Sequence, residues 1–396
     1  MRHAGATLAA ALTWAVVLTG VTGCSAAQDL LGKPRSPEEA IKVVPANGTK
    51  NVGVDRPIEV KVPDGRLESV KVVKLQDGQE VPVKGRIDDG TRWRPTGERR
   101  LSQAAQYTVD VVARDEDGHR SARHTTFTTA VPAKRFVGYV TPEDRSTVGT
   151  GMIVSLQFNR GIENRAAVER AIRVTAKPAV DIAPHWFGKS RLDFRPRDYW
   201  KPGTEVTVDL GLRDVESAPG VYGVQHKKIG FTIGRSQVSV VDAAEDTMAV
   251  RRDGELVDTI PITAGAPKTP TYNGKMVVSE MLEMTRMDSR TVGFGGEYNV
   301  PDVPHAIRLT TSGTFLHGNY WTSDAFGERN ISHGCIGLAD ARGGSSDSPA
   351  GHFFDRTLVG DVIEVVNSKD KVVAPDNGLS GWNMTWKDWK AGAATH

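Results

Sequence analysis

The sequence predicts a mainly β protein built from several domains. Segments such as Ile58 to Val62 and Tyr107 to Val112 alternate apolar and polar residues, as strands do when one face is buried. Turn signals interrupt these segments at Asp-Gly pairs, which begin at Asp64, Asp77, Asp89 and Asp117. The 41 Gly and 21 Pro in 396 residues favour short strands and turns over helical bundles. The chain is also longer than one ordinary domain, which indicates several hydrophobic cores.

The N-terminus has the pattern of an export signal. Arg2 and His3 precede an apolar stretch from Leu8 to Leu18, and small residues follow up to Cys24. The string Val21-Thr-Gly-Cys24 resembles a bacterial lipobox, in which the cysteine carries diacylglycerol after cleavage. A transmembrane anchor is the alternative, but the stretch is shorter than the ~20 residues of a span. We therefore predict a signal peptide at 1–23 and a protein held by Cys24 on the outer face of the cell membrane, with a tether at 24–42.

The next region repeats itself at an offset of about one hundred residues. The string Trp93-Arg-Pro95 matches Phe194-Arg-Pro196, and Tyr107-Thr-Val-Asp110 matches Val206-Thr-Val-Asp209. Short strands in copies of this size predict two immunoglobulin-like sandwiches, at 43–131 and 132–234. Neither copy holds a constellation of catalytic residues, so we predict that they act as a spacer.

A third mostly β unit is predicted at 235–367. Alternation from Gln237 to Val241 and a hairpin from Met248 to Ile260 open it. We expect strand, turn and strand from Ala306 to His317, and a closing strand from Val362 to Val366. Two segments between them, Leu338 to Arg342 and His352 to Thr357, are predicted to form short helices.

The C-terminal tail, 368–396, is rich in tryptophan. Its indoles at Trp382, Trp386 and Trp389 have the spacing of one helix face. We predict that this face packs back on the third unit. A carbohydrate- or membrane-binding role is the alternative.

The overall charge argues against a nucleic-acid partner. The chain has 50 basic and 48 acidic residues without a basic cluster. We therefore predict no binding to nucleic acid.

The chemistry is predicted at Cys335, the only cysteine left if Cys24 is lipidated. A free thiol has a pKa near ~8.5 and needs a base to react quickly at neutral pH. His317, near a strand end, is the candidate base, while His333 orients the turn before the cysteine. Gly334 lets the backbone approach a substrate, and the turn amides could stabilise an oxyanion.

The string Ser332-His-Gly-Cys335, with His317 upstream, resembles the signature of the L,D-transpeptidase (YkuD-type) family. The layout of the whole chain is similar to actinobacterial lipoprotein members with two N-terminal immunoglobulin-like domains. The resemblance implies an L,D-transpeptidase catalytic domain at 235–367 that acts on peptidoglycan stem peptides. Cys335 would be acylated by a tetrapeptide donor stem with release of D-Ala, and a second stem would complete a 3→3 cross-link.

The resemblance also implies roles for individual residues. His317 would be the base, the Gly318 carbonyl would orient it, and the amides of His333, Gly334 and Cys335 would bind the oxyanion. The remaining implied site residues would line the substrate cleft or its lid: Tyr298, Ser312, Gly313, Trp321, Ser332 and Gly337. Carbapenems would acylate the same cysteine, and no cofactor or metal is implied.

Two positions depart from the family pattern. Gly318 stands where serine is usual, which leaves the backbone carbonyl in place. Gly337 stands where asparagine is usual, so a side-chain contact to the substrate is expected to be lost.

Other interpretations of the same residues stay open at this point. The same thioester could serve an L,D-carboxypeptidase or attach proteins to peptidoglycan. Zinc accepts ligands such as His317, His333 and Cys335, but no established zinc spacing is present. Sortases and papain-like peptidases also pair histidine with cysteine, with a different cysteine motif or the reverse order. The non-enzymatic alternative is a cell-wall adhesin.

Overall fold

The structure, a computed structural model, describes residues 37–76, 78–97, 100–291 and 295–395. These residues are predominantly β, which confirms the predicted fold class. The predicted signal peptide, Cys24, most of the tether and Asp77 lie outside the described residues. No helix among the described residues is long and apolar enough to cross a membrane. The described residues form two compact units, divided between Ala130 and Val131.

The first unit is a sandwich of two four-stranded antiparallel sheets, ordered β1-β2-β6-β5 and β4-β3-β7-β8. Its elements are α1 (Pro37–Ala40), β1 (Lys42–Val44), β2 (Glu59–Lys61), β3 (Arg66–Gln76), β4 (Gln79–Pro82), β5 (Gly85–Asp88), β6 (Arg92–Pro95), β7 (Gln106–Arg114) and β8 (Arg120–Thr128). Alternate residues of β7 are buried, as the alternation in the sequence predicts. The core includes Trp93, and Tyr107 stacks on Phe127 with ring centroids 5.1 Å apart.

The second sandwich opens the second unit. Its elements are β9 (Lys134–Phe136), β10 (Gly138–Thr141), β11 (Thr147–Val148), β12 (Val154–Phe158), α2 (Arg165–Arg170), β13 (Ile172–Lys177), β14 (Ile182–Phe187), β15 (Arg191–Pro196), β16 (Glu205–Gly211), β17 (Glu216–Ala218), β18 (Val221–Gly223) and β19 (His226–Ile233). Two four-stranded sheets, β10-β12-β15-β14 and β11-β19-β16-β13, face each other, and β17-β18-β9 forms a small third sheet. Phe194 is buried here as its repeat counterpart Trp93 is in the first sandwich.

The third domain contains a nine-stranded sheet, ordered β23-β28-β20-β21-β22-β27-β26-β25-β24. Its elements are β20 (Gln237–Asp242), β21 (Thr247–Arg252), β22 (Glu255–Thr263), β23 (Gly274–Val277), β24 (Glu280–Asp288), the 3-10 helix Ser289–Thr291, β25 (Asn299–Arg308), β26 (Phe315–Asn319), β27 (Ile336–Ala339), α3 (Pro349–Asp355) and β28 (Val362–Val366). The sheet places β26 and β27 side by side near its middle, and this pair holds the residues singled out by the sequence.

One of the two predicted helices is wrong. Leu338 belongs to strand β27, because it pairs with Ile262 of β22 on one side and with Gly318 of β26 on the other. A residue held between two strands cannot adopt helical backbone geometry. The second helix exists as α3 but begins earlier, at Pro349, where the Ser348 hydroxyl accepts a hydrogen bond from the Gly351 amide at 2.9 Å.

The tryptophan tail packs chiefly on the second sandwich and not, as predicted, on the third domain alone. Trp382 lies in the 3-10 helix Gly381–Asn383, and Trp386 and Trp389 lie in α4 (Trp386–Ala391), so they do not share one helix. All three indoles surround the Arg195 guanidinium, at 4.5–5.4 Å from its carbon to the ring centroids. Trp389 is fully buried, and its indole N–H donates to the Ala183 carbonyl at 2.9 Å. The sequence pattern could not show this, because the arginine lies almost two hundred residues earlier.

The second sandwich and the third domain meet around an ion pair that lies within the third domain. Arg235 makes a bidentate contact to the Asp361 carboxylate at 2.8 and 2.9 Å, and Asp361 is fully buried. Backbone bonds surround the pair, since the Gly149 amide donates to the Val359 carbonyl and the Gly151 amide to the Gly360 carbonyl. The second sandwich is therefore part of the same compact unit as the third domain.

This packing predicts that a chain beginning at residue 131 keeps its fold, whereas a chain beginning at Arg235 does not stay stable. The shorter chain exposes Trp389, and losing the burial of one such side chain costs about 3–5 kcal/mol. We expect its melting temperature to fall by at least about 10 °C, or the chain to aggregate. Differential scanning calorimetry of both chains measures this.

Two substitutions in the 131–396 chain serve as controls. Trp389→Ala should lower the melting temperature by a similar amount, and Trp321→Ala, which removes a half-exposed indole, should change it by much less. A 235–396 chain that melts cooperatively at the temperature of the longer chain would contradict the prediction.

Candidate active site

Strand pairing brings His317 and Cys335 to one cavity. Strands β26 and β27 are parallel, with His317 paired to Gly337, and Cys335 immediately precedes β27. Every residue of β26 is buried, as expected for a strand inside a sheet. Both side chains line a cavity of about 290 Å³.

The imidazole of His317 is held in one orientation. Its Nδ1 lies 2.8 Å from the Gly318 carbonyl oxygen, which can only accept, so Nδ1 carries the proton and Nε2 has a free lone pair. Burial lowers the pKa of His317, and the bond to Gly318 opposes this only in part. Trp321 stacks on the imidazole with ring centroids 5.6 Å apart. His317 is thus a neutral ring with an available acceptor nitrogen.

The thiol of Cys335 belongs to a half-buried residue and is protonated. Burial raises the pKa of Cys335 to about 11, and the neighbouring Phe315 backbone amide lowers it only slightly. Its Sγ lies 3.7 Å from the Gly313 carbonyl oxygen, to which the thiol donates. Among the described residues no hydrogen bond joins Sγ to His317. At neutral pH this thiol needs a base to react. The need is greater than the sequence alone predicts, because the pKa lies above the ~8.5 of a free thiol.

Ser332 fixes the turn before the cysteine. Its hydroxyl donates to the Cys335 carbonyl at 2.6 Å and accepts from the Gly334 amide at 3.1 Å. Gly334 has a φ of +107°, which a residue with a side chain would adopt only under strain. The Gly334 amide was assigned to the oxyanion hole from the resemblance. In this state it is bonded to Ser332 and would have to leave that hydroxyl to serve there.

His333 faces the edge of the site. Its Nε2 lies 2.9 Å from the Glu297 carboxylate, and its ring lies 5.0 Å from that of Tyr298. Burial raises the pKa of Tyr298 to about 12, and the nearby Cys335 adds to this rise, so the phenol stays neutral. His333 and Tyr298 border the first cavity and also a second one.

The second cavity has a volume of about 360 Å³ and lies on the other side of the turn. Ser312, Gly313 and Gly334 line it. Trp321, Ser332 and Gly337 line the first cavity. The substrate-cleft residues named from the sequence are thus divided between two cavities that meet at Tyr298 and His333.

The two glycines that depart from the family pattern are both crowded. A Cβ on Gly318 would lie 2.1 Å from Oδ2 of Asp340, a fully buried carboxylate that contacts His305 Nδ1 at 2.7 Å. A Cβ on Gly337 would lie 2.9 Å from Cγ2 of Thr263. Neither site can accept a larger residue without movement of its neighbours.

Sequence reasoning missed several residues of the first cavity. They come from five separate segments: Thr263, Met287, Val300, Val303, Asn319 and Ile331. Only Asn319 had a usable signal, since residues two apart on a strand share a face and Asn319 is two residues from His317. The others depend on long-range packing.

The zinc alternative is not supported by the side-chain geometry. Among the described residues, the one group of three metal-ligating side chains that converge within 4.8 Å is the exposed set Asp115, Asp117 and His119. His317, His333 and Cys335 do not form such a group.

Two family models match successive parts of the chain. Residues 49–216 match a bacterial Ig domain family, and residues 236–365 match the L,D-transpeptidase catalytic domain. L,D-transpeptidase 2 of Mycobacterium tuberculosis is 35% identical over 354 residues, which cover 88% of this chain and 83% of that protein. L,D-transpeptidase 5 of the same species is 28% identical, covering 91% of this chain and 78% of that protein. A solved structure of an L,D-transpeptidase in complex with imipenem is 30% identical, with a TM-score of 0.49, and covers 59% of this chain and 100% of that chain.

Proposed function

The chain belongs to the L,D-transpeptidase family, and on that premise we propose that it forms 3→3 cross-links between peptidoglycan stem peptides through a thioester on Cys335. The observation that carries this proposal is the pairing of β26 with β27, which places the His317 imidazole and the Cys335 thiol in one cavity.

In the proposed first step Cys335 Sγ attacks the carbonyl carbon of the diamino acid at position three of the donor stem. His317 Nε2 takes the thiol proton, so that a thiolate forms as the bond is made. The peptide bond to D-Ala then breaks, and its nitrogen takes that proton from the imidazolium and leaves as an amine. The donor remains as a thioester.

In the proposed second step the side-chain amine of another stem's diamino acid attacks the thioester carbonyl. The amine loses a proton to His317, and the sulfur leaves and recovers a proton from the imidazolium. The products are the cross-linked stems and the free thiol. The Gly318 carbonyl supports both steps because it keeps the proton on Nδ1 and leaves Nε2 as the exchanging atom.

Cys335 lines the first cavity, and the second cavity shares Tyr298 and His333 with it, so we propose that the two cavities receive the two stems. We propose that the cleft residues Tyr298, Trp321, Ser312 and Gly313 contact the stems. Carbapenems would acylate Cys335 by opening their β-lactam C–N bond. A relative has been solved with imipenem, which supports this part of the proposal.

The export pattern supports a location for this reaction. We propose that the protein is anchored outside the cytoplasmic membrane by diacylglycerol on Cys24, where peptidoglycan is accessible. Two acyl chains suffice for stable anchoring.

Loss of the nucleophile and of the base should have different consequences. Incubated with purified disaccharide-tetrapeptide, wild type should release D-Ala and yield 3→3 dimers detected by mass spectrometry. Cys335→Ala should yield none, and His317→Ala should be slower by ~10²–10⁴-fold at neutral pH, the usual effect of a positioned base. Tripeptide in place of dimer would mean that the enzyme is a carboxypeptidase. Dimer formation by a folded Cys335→Ala protein would reject Cys335 as the nucleophile, and the absence of any product from folded wild type would favour a non-enzymatic role.

The pH dependence tests the raised pKa of Cys335. Without the base, only the thiolate fraction reacts, and with a pKa of about 11 that fraction is on the order of 1% at pH 9. The His317→Ala rate should therefore rise about tenfold per pH unit between pH 7 and 9 without a plateau. A plateau near pH 8.5 would mean that the thiol is solvated, and a rate within a few-fold of wild type at pH 7 would assign the base to another residue, with His333 tested next.

The anchor predicts a dependence on Cys24. In cells labelled with a radioactive fatty acid, wild type should carry label and Cys24→Ala should carry none, because the acceptor thiol is gone. Globomycin should make the wild-type precursor accumulate. Unchanged labelling of Cys24→Ala would contradict lipidation at this residue, and Ser25→Ala, one residue further on, is the matched control.

A further inference from the structure

A second amide-bearing side chain stands beside the reacting residues. Asn319 lies two residues after His317 on β26 and lines the same cavity as His317 and Cys335. It is only 4% exposed. A buried polar side chain normally has its hydrogen-bonding groups satisfied, so each atom of this amide needs a partner.

Only one end of the Asn319 amide has a partner. Its Oδ1 accepts a hydrogen bond from the Trp321 backbone amide at 3.1 Å, and this bond fixes which end of the side chain is the NH₂ group. Among the described residues, Nδ2 has no hydrogen-bond acceptor. The two N–H donors are therefore available to a ligand in the cavity.

The position of Nδ2 is set by the glycine on the neighbouring strand. Nδ2 lies 3.3 Å from the place where a Cβ of Gly337 would be, so the Asn319 amide occupies space that a side chain at residue 337 would enter. Residue 337 is where the sequence analysis expected an asparagine contact to be lost. The amide has not been lost from the cavity, because Asn319 supplies one from the adjacent strand.

We propose that Asn319 is a substrate-binding residue whose Nδ2 donates a hydrogen bond to an oxygen of the donor stem's diamino acid. This inference rests on the proposed function. That residue must present its carbonyl carbon to Cys335, so its other oxygens lie within the same cavity. An NH₂ group whose carbonyl is already engaged is a pure donor, and it selects a carbonyl or carboxylate oxygen over an N–H group.

The contribution to binding follows from the fixed position of this donor. Nδ2 is not one of the fully buried polar atoms without a partner, so it reaches the space of the cavity, where a substrate oxygen would form a bond with a donor that the Trp321 contact already holds in place. Losing such a bond should lower kcat/KM by about 10- to 100-fold.

The test compares two substitutions at this position. Asn319→Ala removes the whole amide, whereas Asn319→Asp keeps the shape and the oxygen that accepts from Trp321 but removes the donor. Both should lower kcat/KM for D-Ala release from disaccharide-tetrapeptide by about 10- to 100-fold. Asn159→Ala, which removes an asparagine from the second sandwich, is the control and should match wild type.

Two donor stem peptides, one with a free side-chain carboxylate and one with that group amidated, distinguish the two oxygens that Nδ2 could bind. If the acceptor is the side-chain carboxylate of the diamino acid, Asn319→Asp should be at least about tenfold worse with the free acid than with the amidated stem, because two carboxylates would face each other. If the acceptor is a peptide carbonyl, Asn319→Asp should lower kcat/KM equally with both stem peptides.

A structural effect and a binding effect are separated by alkylation of Cys335 with iodoacetamide, followed on its tryptic peptide. The alkylation rate should stay within a few-fold of wild type in both variants if the His317–Cys335 arrangement is intact. A kcat/KM within about twofold of wild type in both folded variants would overturn the inference.

If wild type itself releases no D-Ala, the proposed function fails, and the inference is judged by binding instead. Calorimetry with Cys335→Ala and the tetrapeptide should then show a Kd about tenfold higher when Asn319→Asp is added. An unchanged Kd would overturn it.

Discussion

The structure of the site depends on how the sheet encloses His317 and partly buries Cys335, which immediately precedes the neighbouring strand. Burial disfavours charge on either group, so it lowers the pKa of the histidine and raises the pKa of the cysteine. Both groups are therefore neutral at rest. In the proposed mechanism the proton moves only when a substrate is present, so the thiol stays protonated until then.

The surroundings of the pair follow from this enclosure. A neutral imidazole needs a fixed tautomer, and the Gly318 carbonyl supplies it from the backbone without a further charge. Asp340 leaves no room for a side chain at Gly318. Its own carboxylate is engaged by His305 Nδ1 and by the backbone amides of Ala341 and Ser345.

The sequence indicated the residues of the proposed chemistry, but it did not show how the domains pack. Cys335 and His317 stand out because a lone cysteine with a histidine upstream is typical of a small number of catalytic sites. Strands can be predicted because apolar and polar residues alternate over five or six positions. Leu338 was assigned to a helix because short apolar segments do not show whether they lie between two strands. The tryptophans of the tail were placed on the wrong domain because their partner, Arg195, is distant in the chain. The alternation of side chains along a strand could have predicted that Asn319 shares a face with His317. That its Nδ2 lacks a hydrogen-bond partner could be seen only in the structure.

The central claim is that His317 is neutral with its proton on Nδ1, which leaves Nε2 to accept the proton of Cys335. Nitrogen-15 NMR of histidine-labelled protein measures this directly, because protonated and bare ring nitrogens have distinct chemical shifts. The structure predicts the Nδ1–H tautomer for His317 at neutral pH, with a midpoint of titration below that of a histidine in a model peptide. A proton on Nε2 at neutral pH, or a titration at or above the model-peptide value, would contradict it.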